Sequence, residues 1–185
     1  SGNGATPYGV DVDRETGDVY LIAGTGTDLY RVETDGDVVE IATDVGNFNG
    51  ILSDLRIGPD RLIYVAGGTG DVPIQRFELD GTEVAPLATV GGAATNAYGI
   101  DFDCQDNLLL SDTGDELYRV TPAGDVSVLS TGWVDVDEVE RGPNGVVFIQ
   151  DGSVTATMEV VVQLPTGASY VFADLSAIGA VRSEE

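Results

Sequence analysis

Histidine and lysine are absent from this 185-residue chain, and cysteine, methionine and tryptophan occur once each. Without imidazole or amine, a serine triad, a cysteine dyad, a Schiff base and a histidine-ligated zinc are excluded. Carboxylates remain, alone or with a metal-bound water, so the chain leans away from enzymes. With Cys104 alone no internal disulfide can form, and packing has to hold the fold. A lone cysteine of this kind reads as a small hydrophobe rather than a nucleophile. Positive charge is scarce too: eight basic residues, all arginine, stand against 32 Asp and Glu, for a formal net charge of -24. Such a field repels phosphate backbones and anionic headgroups, so nucleic acid is not an expected partner. No apolar run approaches the ~20 residues that cross a bilayer, so no membrane insertion is expected. The chain starts at Ser1 with no basic-then-apolar segment, which reads as a signal peptide removed or never present.

What is present is 42% apolar residues, enough for one well-cored domain over residues 1–185. The acidic residues are scattered singly through turns. That pattern suits a carboxylate-coated surface in salty or calcium-containing surroundings, outside the cell or at its surface.

Four segments repeat. The anchors are LYRVETDG (Leu29 to Gly36), IQRFELDG (Ile74 to Gly81), LYRVTPAG (Leu117 to Gly124) and VVVQLPTG (Val160 to Gly167). They align Arg31, Arg76, Arg119 and Gln163, which are 45, 43 and 44 residues apart. Each anchor follows two apolar runs and precedes a third. First runs are GVDVD, DLRIG, GIDFD and EVERG. Second runs are VYLIA, LIYVA, LLLSD and VVFIQ. Fourth runs are DVVEIAT, EVAPLAT, DVSVLST and ASYVFAD. The second runs are apolar on both faces, as strands covered on both sides are. Glycines end the third-strand turns where a hairpin needs positive φ, and Pro86 marks an edge strand. Small sheets with this period and doubly covered middle strands predict an all-β fold: a β-propeller of four four-stranded antiparallel blades at about 8–46, 50–90, 96–131 and 134–174, with a tail at 175–185.

The stretch GIDFDCQDNLLLSDTGDELYRVTPAGD resembles a blade of the NHL-repeat, regucalcin and gluconolactonase-like β-propellers. Members of that group usually have six blades, so four imply a closed four-bladed ring, a partial propeller completed by oligomerisation, or a piece of a longer parent protein. Unmatched end faces would make the chain self-associate. The resemblance also implies one divalent cation, calcium, held at the axial mouth by Asn, Asp and Glu from several blades. By residue type, the matching positions are Asn49, Asn96, Asp135 and Asp137, with Asn3 or Thr6 in the first copy; the family's ligating Glu has no counterpart. Turn capping is the competing reading for these residues.

Other features read as structure. Asp11-x-Asp13 and Asp101-x-Asp103 lack the remaining ligands of a calcium loop and read as solvated hairpin turns. The recurring arginines read as local partners of each blade's own carboxylates. The runs Gly24 to Thr27 and Gly67 to Gly70 read as turns, without the lysine or helix of a phosphate loop. Trp133, Tyr8 and Tyr98 read as packing between blades rather than a sugar-binding lip. The expected function is a non-catalytic interaction or self-assembly module whose partner is a second copy or another protein. The alternatives are a calcium-dependent lactonase or esterase-like hydrolase and a small-ligand or glycan-binding propeller.

Overall fold

A computed structural model describes residues 7–23, 28–45, 53–69, 71–91, 96–112, 116–134, 136–152 and 159–174. The chain forms two compact units, Ser1–Tyr98 and Gly99–Glu185. In the first, β1 (Val10–Val12), β2 (Val19–Ala23), β3 (Asp28–Val32) and β4 (Val38–Ala42) make one antiparallel sheet in chain order. The second sheet of this unit starts with β5 (Ser53–Ile57) and β6 (Ile63–Thr69), then breaks twice. Its third strand is split at Ile74 into β7 (Val72–Pro73) and β8 (Gln75–Phe77), and its outer strand into β9 (Glu83–Val84) and β10 (Thr89–Val90). The hairpin continues across the breaks, because the Ile74 N–H donates to Ala88 O and the Leu87 N–H donates to Ile74 O, both at 2.9 Å. Pro86, which has no N–H to offer, lies in the outer gap, where a missing donor costs least.

Strand β11 (Asn96–Phe102) starts beside β6, with Asn96 opposite Thr69 and Ala97 opposite Gly68. The rest of it joins β12 (Leu108–Asp112), β13 (Glu116–Val120) and β14 (Val126–Thr131) as the first sheet of the second unit. The second sheet there is β15 (Val136–Arg141), β16 (Val147–Asp151), β17 (Glu159–Gln163) and β18 (Ser169–Asp174). Among the described residues helix is limited to one 3-10 turn, Pro143–Gly145. The fold is all-β: a β-propeller of four-stranded antiparallel blades, two in each unit. One expectation fails at a glycine run, since Gly67, Gly68 and Thr69 continue β6 as strand rather than turn; Gly24 to Thr27 and the tail 175–185 lie outside the described residues.

The repeat holds to the residue, with one correction. Arg31 faces Tyr20, Arg76 faces Tyr64, and Arg119 faces Leu109 across the second and third strands. In the fourth blade the matching pair is Phe148 and Val162, while Gln163 lies one residue further on, opposite Val147. The turn decides this. The N–H groups of Glu33, Glu78, Thr121 and Leu164 close equivalent turns onto Asp37, Thr82, Asp125 and Ala168. Counting back two residues from each gives Arg31, Arg76, Arg119 and Val162.

Each unit has an apolar seam where one blade packs on the next. In the first, Tyr20, Ile22 and Leu29 from blade 1 meet Leu55, Ile63, Val65 and Phe77 from blade 2. In the second, Leu109 and Leu117 from blade 3 meet Val136, Val139, Val147 and Ile149 from blade 4. Burying one such side chain contributes about 1.5–3 kcal/mol, so these seams outweigh any single polar contact in the fold.

Candidate functional site

Of the four residues expected to hold calcium, Asn49 and Asp135 lie outside the described residues. Asn96 opens β11, and Asp137 sits in β15 at a register shift between Val136 and Glu138; their side chains are likewise outside the description. Asn3 and Thr6 fall outside it as well.

The Asp-rich segments prove to be tertiary devices. Asp13 ends the first strand of blade 1 and is almost fully buried, so it is not the solvated turn residue expected. Its carboxylate accepts from the Glu15 N–H at 3.0 Å and the Thr16 hydroxyl at 3.1 Å, and pairs with Arg61 of blade 2 at 2.7 Å. These donors, the Glu15 N–H foremost, hold the Asp13 carboxyl below the ordinary carboxylate range despite its burial. Arg61 also pairs with Glu15. It does so from a left-handed backbone conformation, φ 65°, which is uncommon outside glycine.

Asp103 is the counterpart in blade 3. Its oxygens accept from the Gln105 N–H at 2.8 Å and from the Asn107 N–H and side-chain amide at 3.0 and 2.9 Å, with Arg119 at 3.3 Å. The other aspartate of each pair crosses between blades. Asp11 accepts the Ile57 N–H of β5 at 2.8 Å, and Asp101 accepts the Arg141 N–H of β15. Beside them Gly9 and Gly99 let first strands touch: a Cβ on Gly9 would sit 2.5 Å from Leu55 N, and one on Gly99 3.0 Å from Val139 N. Blades 1 and 2 are therefore joined in the same way as blades 3 and 4.

The recurring arginines follow the local-partner expectation at two places out of three. Arg31 pairs with Glu33, and Arg119 with Asp103. Arg76 instead donates to the Ala85 carbonyl at 2.8 Å and lies over the Tyr64 ring, 6.0 Å from its centroid. Tyr64 donates to Asp60 at 2.8 Å, and burial with that bond pushes its phenol up to about 12. It is thus no acid or base near neutral pH.

A cleft of about 420 Å³ in the second unit is lined by Cys104, Arg141, Gly142, Pro143, Asn144 and Gly145. Cys104 is exposed there rather than buried as a small hydrophobe. Trp133 packs against the seam of the second unit and donates to Ser130 at 3.0 Å, in line with the packing reading. Among the described residues no three Asp, Glu or Cys side chains are grouped so as to hold a metal ion.

No protein-family model and no curated protein sequence matches this chain. Solved structures do. The chain is similar to virginiamycin B lyase from Staphylococcus aureus (TM-score 0.73, 16% identity, 92% of this chain and 56% of that one). A second solved form of that lyase, a catalytically inactive histidine-to-alanine variant with quinupristin, matches at a TM-score of 0.73. A protein of unknown function from Bacteroides thetaiotaomicron matches at a TM-score of 0.71 and 12% identity, over 94% of this chain and 47% of that one. Puromycin hydrolase matches at 0.65 and 16% identity, over 93% and 31%. The likeness is one of fold, and the chain spans about half the length of the lyase.

Proposed function

We propose that this chain is a non-catalytic β-propeller module for protein interaction and self-assembly, acting outside the cell or in a salty compartment. The absence of histidine carries the reading. The similar lyase is inactive when one histidine becomes alanine, and this chain has no histidine to offer in that role. The buried carboxylates support it, because those of Asp13 and Asp103 are committed to turns and arginines. The net charge of -24 suits salty surroundings. The test is incubation with quinupristin, puromycin and a panel of lactones and esters, with and without calcium. No turnover above buffer is the expected result.

A second reading, a calcium-dependent lactonase or esterase-like hydrolase, is favoured by the enzymes among the similar structures. In it Asn49, Asn96, Asp135 and Asp137 would hold the ion, which would supply Lewis-acid assistance to hydrolysis. Turnover abolished by chelator and lost in Asn96→Ala would select this reading and overturn the first. Heat from a glycan or small ligand in calorimetry, without turnover, would point to a ligand-binding propeller instead.

A further inference from the structure

The joint between blades 3 and 4 departs from its counterpart between blades 1 and 2 at one place. In the first unit the turn after β5 closes with the Gly58 N–H on Leu62 O, and in the second the turn after β15 closes with the Gly142 N–H on Val146 O. Both turns begin Gly-Pro, and Gly145 falls where Arg61 does, each at positive φ, 76° against 65°. Arg61 uses that place to reach blade 1 and pair with Asp13 and Glu15. Gly145 has no side chain to send. The cleft of about 420 Å³ lies there, with Gly145 in its lining, and a Cβ on Gly145 would stand 3.6 Å from Cys104 Sγ.

The charge of the place changes with its shape. Glu15 corresponds to Gln105, since the N–H of each donates to the aspartate two residues before it. Asp103 already has Arg119 beside it at 3.3 Å. A cationic guest therefore finds no equivalent of the carboxylate pair that holds Arg61. The lining supplies a cation instead. Arg141 stands where β5 has Ile57, each giving its N–H to an aspartate of the facing blade, and among the described residues the Arg141 guanidinium has no ion pair. The Asp101 carboxylate next to it is taken up by the N–H groups of Phe102 and Arg141.

We propose that this cleft binds a small aromatic carboxylate in the room that the Arg61 side chain fills in the first unit. The guanidinium fork of Arg141 matches a carboxylate in geometry and charge, and the Asn144 amide is a second donor in the lining. Gly142, Pro143 and Gly145 leave a wall free of long side chains, against which a flat ring lies beside Cys104. The volume falls within the roughly 300–1,000 Å³ of small-molecule clefts.

Benzoate is the probe, and Cys104, the one cysteine of the chain, is the reporter. In exchange with dithiodipyridine the Cys104 sulfur bonds to one pyridylthio group as the S–S bond breaks. The other leaves as thiopyridone, carrying the thiol proton, and its absorbance gives the rate. Benzoate should slow this reaction in a saturable way, and benzylamine should not. Arg141→Gln should weaken the protection about tenfold, the loss of one charge-assisted bond. Arg14→Gln, which removes the same charge from an exposed arginine of the other unit, should leave it unchanged. Gly145→Arg, checked as folded by circular dichroism, should abolish protection by refilling the cleft; if it does not fold, the two arginine variants decide alone. No protection by benzoate overturns the proposal, as do equal protection by benzylamine and equal losses in Arg14→Gln and Arg141→Gln.

Discussion

Gly36 and Gly81 occupy the same turn in successive blades with nearly the same backbone, φ 94° and 90°. Their surroundings differ. A Cβ on Gly36 meets nothing within 4 Å, whereas one on Gly81 would lie 2.0 Å from the Ile41 carbonyl oxygen of the preceding blade. Gly36→Ala should therefore cost only the left-handed conformation, about 1–2 kcal/mol. Gly81→Ala adds a backbone clash and should cost at least about 2 kcal/mol more, read as the difference in urea midpoints. Asp13 gives a pH test. Its carboxyl is lowered from 3.8 in the folded chain. The stability it contributes is thus fully present above about pH 4 and is lost as pH falls through the folded value. Asp13→Asn should lower the urea midpoint at pH 7, and it should flatten the fall in stability below pH 4 relative to the parent chain.

Among the elements, β12 is a fully buried strand, and the strands of blade 2 are the most broken. All five residues of β12 are buried, while β9 and β10 have two residues each with a proline between them. Amide exchange followed by NMR should leave Leu108 to Leu110 protected longest and Val84 and Ala85 among the first to exchange. Slower exchange at Val84 than at Leu109 would contradict this ranking. The blades were legible in the sequence because their signals are local: apolar alternation, polar turns and a glycine at the end of each third-strand turn. A spacing of about 44 residues does not separate Gln163 from Val162; the turn that starts at Leu164 does, and it puts Val162 at the arginine position. The bridges from Asp11 and Asp101 were illegible for the opposite reason. Their partners lie 46 and 40 residues away, and nothing nearby distinguishes them from capped hairpins. Exposure hid Cys104 in the same way, since composition cannot place a residue in a turn on the cleft side.

At the scale of the whole molecule, charge decides the conditions under which the fold is comfortable. Spread over one chain, -24 makes the compact state repel itself. Within about 0.05 to 1 M salt the thermal midpoint should rise steadily, because the Debye length shrinks from over 10 Å to about 3 Å. A midpoint that falls with salt would mean that ion pairs such as Arg61 with Asp13 outweigh the repulsion. The central claim, four sheets repeating one register, is tested most directly by NMR contacts between facing residues of second and third strands. Inter-strand contacts are predicted for Tyr20 with Arg31, Tyr64 with Arg76, Leu109 with Arg119 and Phe148 with Val162. Contacts placing Gln163 opposite Phe148, or helical contacts within any of these strands, would contradict it.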